Sequence, residues 1–165
     1  NAIYNQLPAE SKSEMYGGAA SPGTAMWFDT TLPGLPLIHG YAFRVHLYAL
    51  SGPSTEEWER HILEGGDGVV FVVDTEEDQL EASRGKLEQL EQYLRDVGGS
   101  PQQVPWVFQL NKRSAETAAP LDAIDEALDV GRRSCIETDA TAGEGVFLVL
   151  KTMVRQLLET LKTSS

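Results

Sequence analysis

A chain of 165 residues is long enough to bury the core of one domain. With 41% hydrophobic and 23% charged residues it has the balance of a globular protein, and no apolar run approaches the length of a membrane span. The formal net charge of -12 is unrelieved by any basic patch and would be repelled by nucleic acid or an anionic membrane surface. A single cysteine, Cys135, excludes an intrachain disulfide and fits a reducing, cytoplasmic setting.

The chain opens, without Met and without a capping residue, on what reads as the last turns of a helix. Ala2, Ile3 and Leu7 are its apolar positions, and Pro8 ends it. Ser11 to Gly23 is small, polar and glycine-rich and reads as a flexible loop. Two strands are expected over Thr24 to Leu32 and Gly40 to Leu50. The first sets Met26 and Phe28 against Trp27 and Asp29; the second sets Phe43, Val45 and Leu47 against Arg44, His46 and Tyr48. Pro33, Gly34 and Pro36 make the connection a turn. Ser51 to Ser54 breaks the second strand, and a short helix carrying Trp58, Ile62 and Leu63 starts at Thr55.

The centre of the chain is Gly66 to Thr75. Its run Val69-Val70-Phe71-Val72-Val73 predicts a strand covered on both faces, as in a parallel sheet with helices on either side. A long helix follows from about Glu77 to Val97, stopped by Gly98-Gly99. A buried strand over Val104 to Leu110, a helix from Pro120 to Leu128 and a short strand over Ser134 to Thr138 come next. A final helix opens at Gly143, with Phe147, Leu150, Val154, Leu157 and Leu161 on its buried stripe. Alternating strands and helices from residue 66 predict an α/β fold with right-handed crossovers, read as a single domain over 1–165. Ligands of such folds bind beyond the carboxyl ends of the strands, which here means Ser51 to Pro53, Asp74, Asn111 to Ser114 and Asp139 to Thr141.

Asn111-Lys112 directly after one strand, and Glu137-Thr138-Asp139-Ala140-Thr141 after the next, resemble the Ras-like small GTPases. There an Asn-Lys-x-Asp motif reads guanine and a Glu-Thr-Ser-Ala-Lys-like loop supports it. Gly66 to Asp74, His46-Leu47-Tyr48, Ile3-Tyr4 with Pro8, and Gly143 to Phe147 narrow the likeness to the MglA-type bacterial small GTPases, switches of cell polarity and gliding motility. The resemblance implies a Ras-like P-loop GTPase fold, a mostly parallel sheet with helices on both faces. It also implies a nucleotide-binding set of Asn111, Lys112, Ser114, Asp139, Ala140 and Thr141. On the face formed by residues 11–63 it implies a protein partner, with a roadblock-fold activator as the family's example, and Trp27, Tyr41 and Trp58 as anchors.

The departures from that family are as specific. Ser114 stands where the base-reading Asp should be, and a carboxylate there would accept two hydrogen bonds from guanine. Pro53 stands at the water-orienting position and can orient nothing, so no catalytic residue is expected. The switch loop offers only Ser21 or Thr24 as a magnesium-binding hydroxyl. The phosphate-cradling Gly-x-x-x-x-Gly-Lys-Ser/Thr loop does not occur. It and the first strand of the fold would lie before Asn1, and a hydrophobic strand is expected upstream. GTP or GDP and magnesium are expected as cofactors only with such a loop.

Other residues carry plainer readings. Asp74 caps the next helix; Glu76-Glu77-Asp78 complement a helix dipole. His46 packs on the sheet, and no histidine has metal spacing. Cys135 is a small core residue. Two functions compete: a regulatory interaction module whose nucleotide and hydrolysis motifs have decayed, and a working GTP-hydrolysing switch completed by an upstream P-loop. The loss of three separate elements favours the first.

Overall fold

Alternation shapes the first part of the chain and continuous apolar runs the second. The computed structural model describes residues 1–17, 25–32, 37, 40, 42–50, 56–131 and 133–163. By contacts the chain forms two compact units, residues 4–64 and residues 65–165 with 1–3.

In the first unit, β1 (Ala25–Thr30) and β2 (Val45–Leu50) pair antiparallel, with Trp27 opposite Tyr48 and Phe28 opposite Leu47. Phe28 is buried while Trp27 is 38% exposed, the two-faced pattern expected of a sheet with one wet side. His46 does not pack on the sheet. It lies opposite Asp29, and its Nδ1 is 2.7 Å from that carboxylate, with the imidazole more than half exposed. The expected flexible loop is also corrected in part. Lys12 bridges to Thr30 and Tyr16 to Trp27, and Tyr16 and Trp27 exchange both backbone hydrogen bonds, at 2.9 and 3.0 Å. The reason is that the second edge of β1 offers free N–H and C=O groups, and residues 12–16 contain neither glycine nor proline. The glycine-rich remainder of that stretch from residue 18 lies outside the described residues. Helix α1 (Ala2–Gln6) precedes these elements, and α2 (Glu56–Glu64) follows them.

The second unit is a parallel sheet of order β3-β4-β5, built from Val69–Asp74, Trp106–Asn111 and Ser134–Glu137. Helices α3 (Leu80–Asp96), α4 (Leu121–Leu128) and α5 (Val146–Thr163) alternate with the strands. Both alternating sets of β4 side chains are buried, so that strand is covered on both faces. On one face Val107 packs with Val149 and Met153 of α5. On the other, Arg133 sits over Trp106 and Phe108 at 5.0 and 5.5 Å and binds Glu91 of α3 at 2.7 Å, which places α3 there. Helix α3 stops as the Gly98-Gly99 pair predicts: Gly98 is left-handed at φ 79°, and the Gly99 N–H reaches the Leu94 carbonyl at 2.8 Å.

Two expectations fail. The run in β3 is not covered on both faces, since Val70 is 36% and Val72 54% exposed. They share the face of Val107 and Gln109, which α5 covers, but β3 is the edge of this sheet and lies at the margin of that cover. Cys135 is exposed rather than core, because β5 is the opposite edge and alternates inward and outward residues.

Candidate nucleotide-base site

The carboxyl ends of β3, β4 and β5 bring together the residues singled out from the strand-end loops. Asn111 is the last residue of β4. Its Oδ1 accepts the Ala140 backbone N–H at 2.9 Å and the Thr138 hydroxyl at 3.3 Å, fastening the loop after β4 to the loop after β5. The Thr138 N–H continues the pairing to the Leu110 carbonyl at 2.7 Å, and the Arg113 N–H reaches the Thr138 carbonyl at 3.2 Å. Among the described residues the Asn111 side-chain NH₂ donates to no protein atom.

Lys112 turns the chain in the left-handed region, at φ 65°. Its ammonium group lies 2.7 Å from Asp74 and also binds Glu76. The hydrogen bonds it donates to Asp74 first, and Glu76 second, push its pKa above the ordinary lysine value. Asp74 does not cap the next helix as expected: it accepts the Glu76 N–H at 3.3 Å in a local turn, and neither the 3-10 turn after it nor α3 carries a side-chain cap. Glu76 itself does not serve a helix dipole. It is extended, at ψ 136°, pairs with Ala118 and holds Lys112 and Thr117. The cause is the short 3-10 turn Glu77–Gln79, which comes before α3 and leaves Glu76 facing the β4 loop.

Ser114 donates its hydroxyl proton to Asp139. The other carboxylate oxygen of Asp139 accepts the Thr141 and Ala142 N–H groups at 2.9 and 3.1 Å. The Ser114 hydroxyl and then these backbone N–H groups hold the Asp139 carboxyl below its usual pKa, against an opposing effect of burial. The loop is closed by reciprocal backbone bonds between Asp139 and Glu144 at 2.9 and 3.1 Å, and Gly143 and Gly145 take positive φ. A Cβ on Gly145 would lie 2.5 Å from the Glu137 carbonyl, so only glycine fits there.

Sequence reasoning does not single out Arg113, which binds Glu137 at 2.9 Å and the Ala119 carbonyl at 2.6 Å. Its place inside the Asn-Lys-x-Ser stretch is the available signal. Pro53, Tyr41, Ser21 and Thr24 lie outside the described residues, as does the side chain of Trp58 in α2. Among the described residues no group of three His, Cys, Asp or Glu side chains is arranged to hold a metal ion. A separate groove of about 820 Å³ lies at the opposite, amino-terminal ends of β4 and β5, lined by Trp106, Ser134 and Gln156 among others. No helix among the described residues is long and apolar enough to cross a membrane.

A parallel α/β sheet with an Asn-Lys turn after one strand, fastened to a Thr-Asp-Ala loop after the next, defines the class of Ras-like small GTPases. The chain is 33% identical over 161 residues to the Mutual gliding-motility protein MglA of Myxococcus xanthus (strain DK1622), a match covering 97% of this chain and 83% of that protein, and so it belongs to the MglA family. No family model matches the chain.

Proposed function

We propose that the chain is a small-GTPase-like regulatory module, a single domain over 1–165, that binds nucleotide weakly or not at all and acts through protein contacts in cell polarity or motility. The observation that carries this reading is that three of its would-be nucleotide ligands are engaged with the protein itself. Lys112 is held by Asp74 and Glu76, Ser114 by Asp139, and the Asn111 oxygen by Ala140. Ser114 in place of an acceptor carboxylate and Pro53 at the water-orienting position point the same way. The motility context comes from the name of the relative. A cytoplasmic setting rests on the lone cysteine.

The partner surface is the outward face of β1 and β2. Trp27 and Tyr48 are exposed and opposite one another, and Tyr16 stacks on Trp27 with ring centroids 5.8 Å apart. Exposed aromatic residues of this kind anchor protein interfaces, and Trp27, Tyr41 and Trp58 are the anchors proposed, with a roadblock-fold regulator as the partner to test. A titration of that regulator against wild-type and Trp27→Ala protein is expected to show binding lost in the variant; equal binding rejects Trp27 as an anchor.

The competing reading is a working GTP-hydrolysing switch, with GTP and magnesium held by a P-loop upstream. Single-turnover hydrolysis on the natural full-length protein separates the two. A negligible rate is expected, and a rate typical of an active small GTPase would favour the switch.

A further inference from the structure

The outward face of β1 and β2 carries aromatic rings and a carboxylate side by side. Trp27 and Asp29 are two residues apart on β1 and so share a face, and Tyr48 and His46 lie opposite them on β2. Tyr16 extends the row on the other side of Trp27, held by two backbone hydrogen bonds and by its ring stack. We propose that this face takes an arginine side chain of a partner protein, its guanidinium laid against Trp27 and Tyr48 and bonded to the Asp29 carboxylate. The inference rests on the reading that this face is a partner surface.

Ring geometry, acceptor capacity and charge all favour that occupant. Trp27 and Tyr48 are exposed and directly paired, yet their rings make no contact with each other, so a flat group can lie against both. Asp29 commits only one oxygen within the protein. Its Oδ1 lies 2.7 Å from His46 Nδ1, while its Oδ2 has no partner among the described residues, and the side chain is half-buried. Arg44, two residues before His46, forms no ion pair with it among the described residues. Glu14, on the same segment as Tyr16, is exposed and likewise has no ion pair among the described residues. The chain as a whole carries a net charge of -12, so a cationic partner group is attracted and a carboxylate is repelled. A guanidinium uses every part of this face: it is planar, stacks on aromatic rings and keeps N–H donors in its plane for a carboxylate. A lysine ammonium lacks the plane. A proline or apolar anchor would use the rings and leave Asp29 idle. Arginine is also, with tryptophan and tyrosine, a residue in which interface binding energy concentrates.

The test is an NMR titration of the natural full-length protein with three capped tripeptides, acetyl-glycyl-X-glycine amides in which X is arginine, citrulline or proline. It is read on the indole Nε1–H resonance of Trp27, assigned by its loss in Trp27→Phe. Citrulline keeps the shape of arginine without its charge. The resonance is expected to shift with the arginine peptide at millimolar concentration, and at least roughly tenfold less effectively with the other two. Asp29→Asn is expected to bring the arginine response down to the citrulline level, and Tyr48→Ala to weaken it by at least about threefold. Tyr48 is exposed and Asp29 half-buried, so both variants are expected to fold, and the ratio of arginine to citrulline response is insensitive to a general loss of fold. Equal response to arginine and citrulline, a stronger response to proline, an arginine response unchanged in Asp29→Asn, or no response at all overturns the inference. If the regulator nevertheless loses binding to Trp27→Ala, the partner surface stands and the arginine anchor alone falls. If the regulator binds wild type and Trp27→Ala equally, surface and anchor fall together.

Discussion

The Asn111 side-chain oxygen accepts the Ala140 backbone N–H at 2.9 Å, and this single contact spans 29 residues to fasten the loop after β4 to the loop after β5. Because the same oxygen also takes the Thr138 hydroxyl at 3.3 Å, Asn111 has a structural task independent of any nucleotide. Asn111→Ala is expected to lower stability by about 1–2 kcal/mol in urea unfolding, at roughly 1 kcal/mol per hydrogen bond, and to raise hydrogen exchange at Ala140. Asn111→Asp, which keeps the acceptor, is expected to lose less. Equal stability of wild type and alanine variant would show that the two loops are held by other means.

The Ser114–Asp139 pair predicts a pH effect with a definite sign. Asp139 has a folded pKa below its ordinary value, so its contribution to stability is present above about pH 4, the unfolded carboxyl value. It is lost as pH falls through the lower folded pKa. Removing the largest cause by Ser114→Ala is expected to move the Asp139 pKa upward toward the ordinary value, measured by NMR of the side-chain carboxyl. An unmoved pKa would mean that the Ala142 and Thr141 N–H groups alone set it.

Gly145 is a backbone requirement, at φ 71° with the Glu137 carbonyl 2.5 Å from where a Cβ would stand. Gly145→Ala is expected to cost about 1–3 kcal/mol of stability, the usual range for a strained left-handed residue. It should also perturb the Asp139 loop that the Asp139–Glu144 bonds close. Thermal unfolding checks the first expectation and amide shifts the second.

Arg133 joins an ion pair to the aromatic face of the sheet, with both it and Glu91 largely shielded, at 22% and 20% side-chain exposure. Arg133→Ala is expected to destabilise by about 1–2 kcal/mol, combining the lost contact to Trp106 and Phe108 with the lost pair. Glu91 keeps Arg95 at 3.1 Å, so no carboxylate is stranded. A loss below about 0.5 kcal/mol in urea unfolding would show the contact to be ornamental.

The order of strands and helices from residue 66 onward is legible because each follows from a local rule. An apolar run after Gly68 marks β3 and one after Pro105 marks β4, helical leucine spacing marks α3 and α5, and Gly98-Gly99 marks the end of α3. Exposure is less legible, because it depends on which neighbour is present. Val72 and Cys135 look like core by type, yet each lies on an edge strand of the parallel sheet. The loops at the strand ends can be placed from sequence, but their contacts cannot. Ser114 and Asp139 are 25 residues apart, Lys112 and Glu76 are 36 apart, and no periodicity links either pair. Residues 12–16 pair with β1 for a similar reason: an available sheet edge recruits them despite a loop-like composition around them.

The central proposal is that the nucleotide machinery of this protein has decayed, and calorimetric titration of the natural full-length protein with GTP and GDP, in magnesium and at physiological salt, tests it most directly. Dissociation constants weaker than about 1 μM are predicted for both, corresponding to less than about 8 kcal/mol of binding free energy. Submicromolar binding of either nucleotide would contradict it.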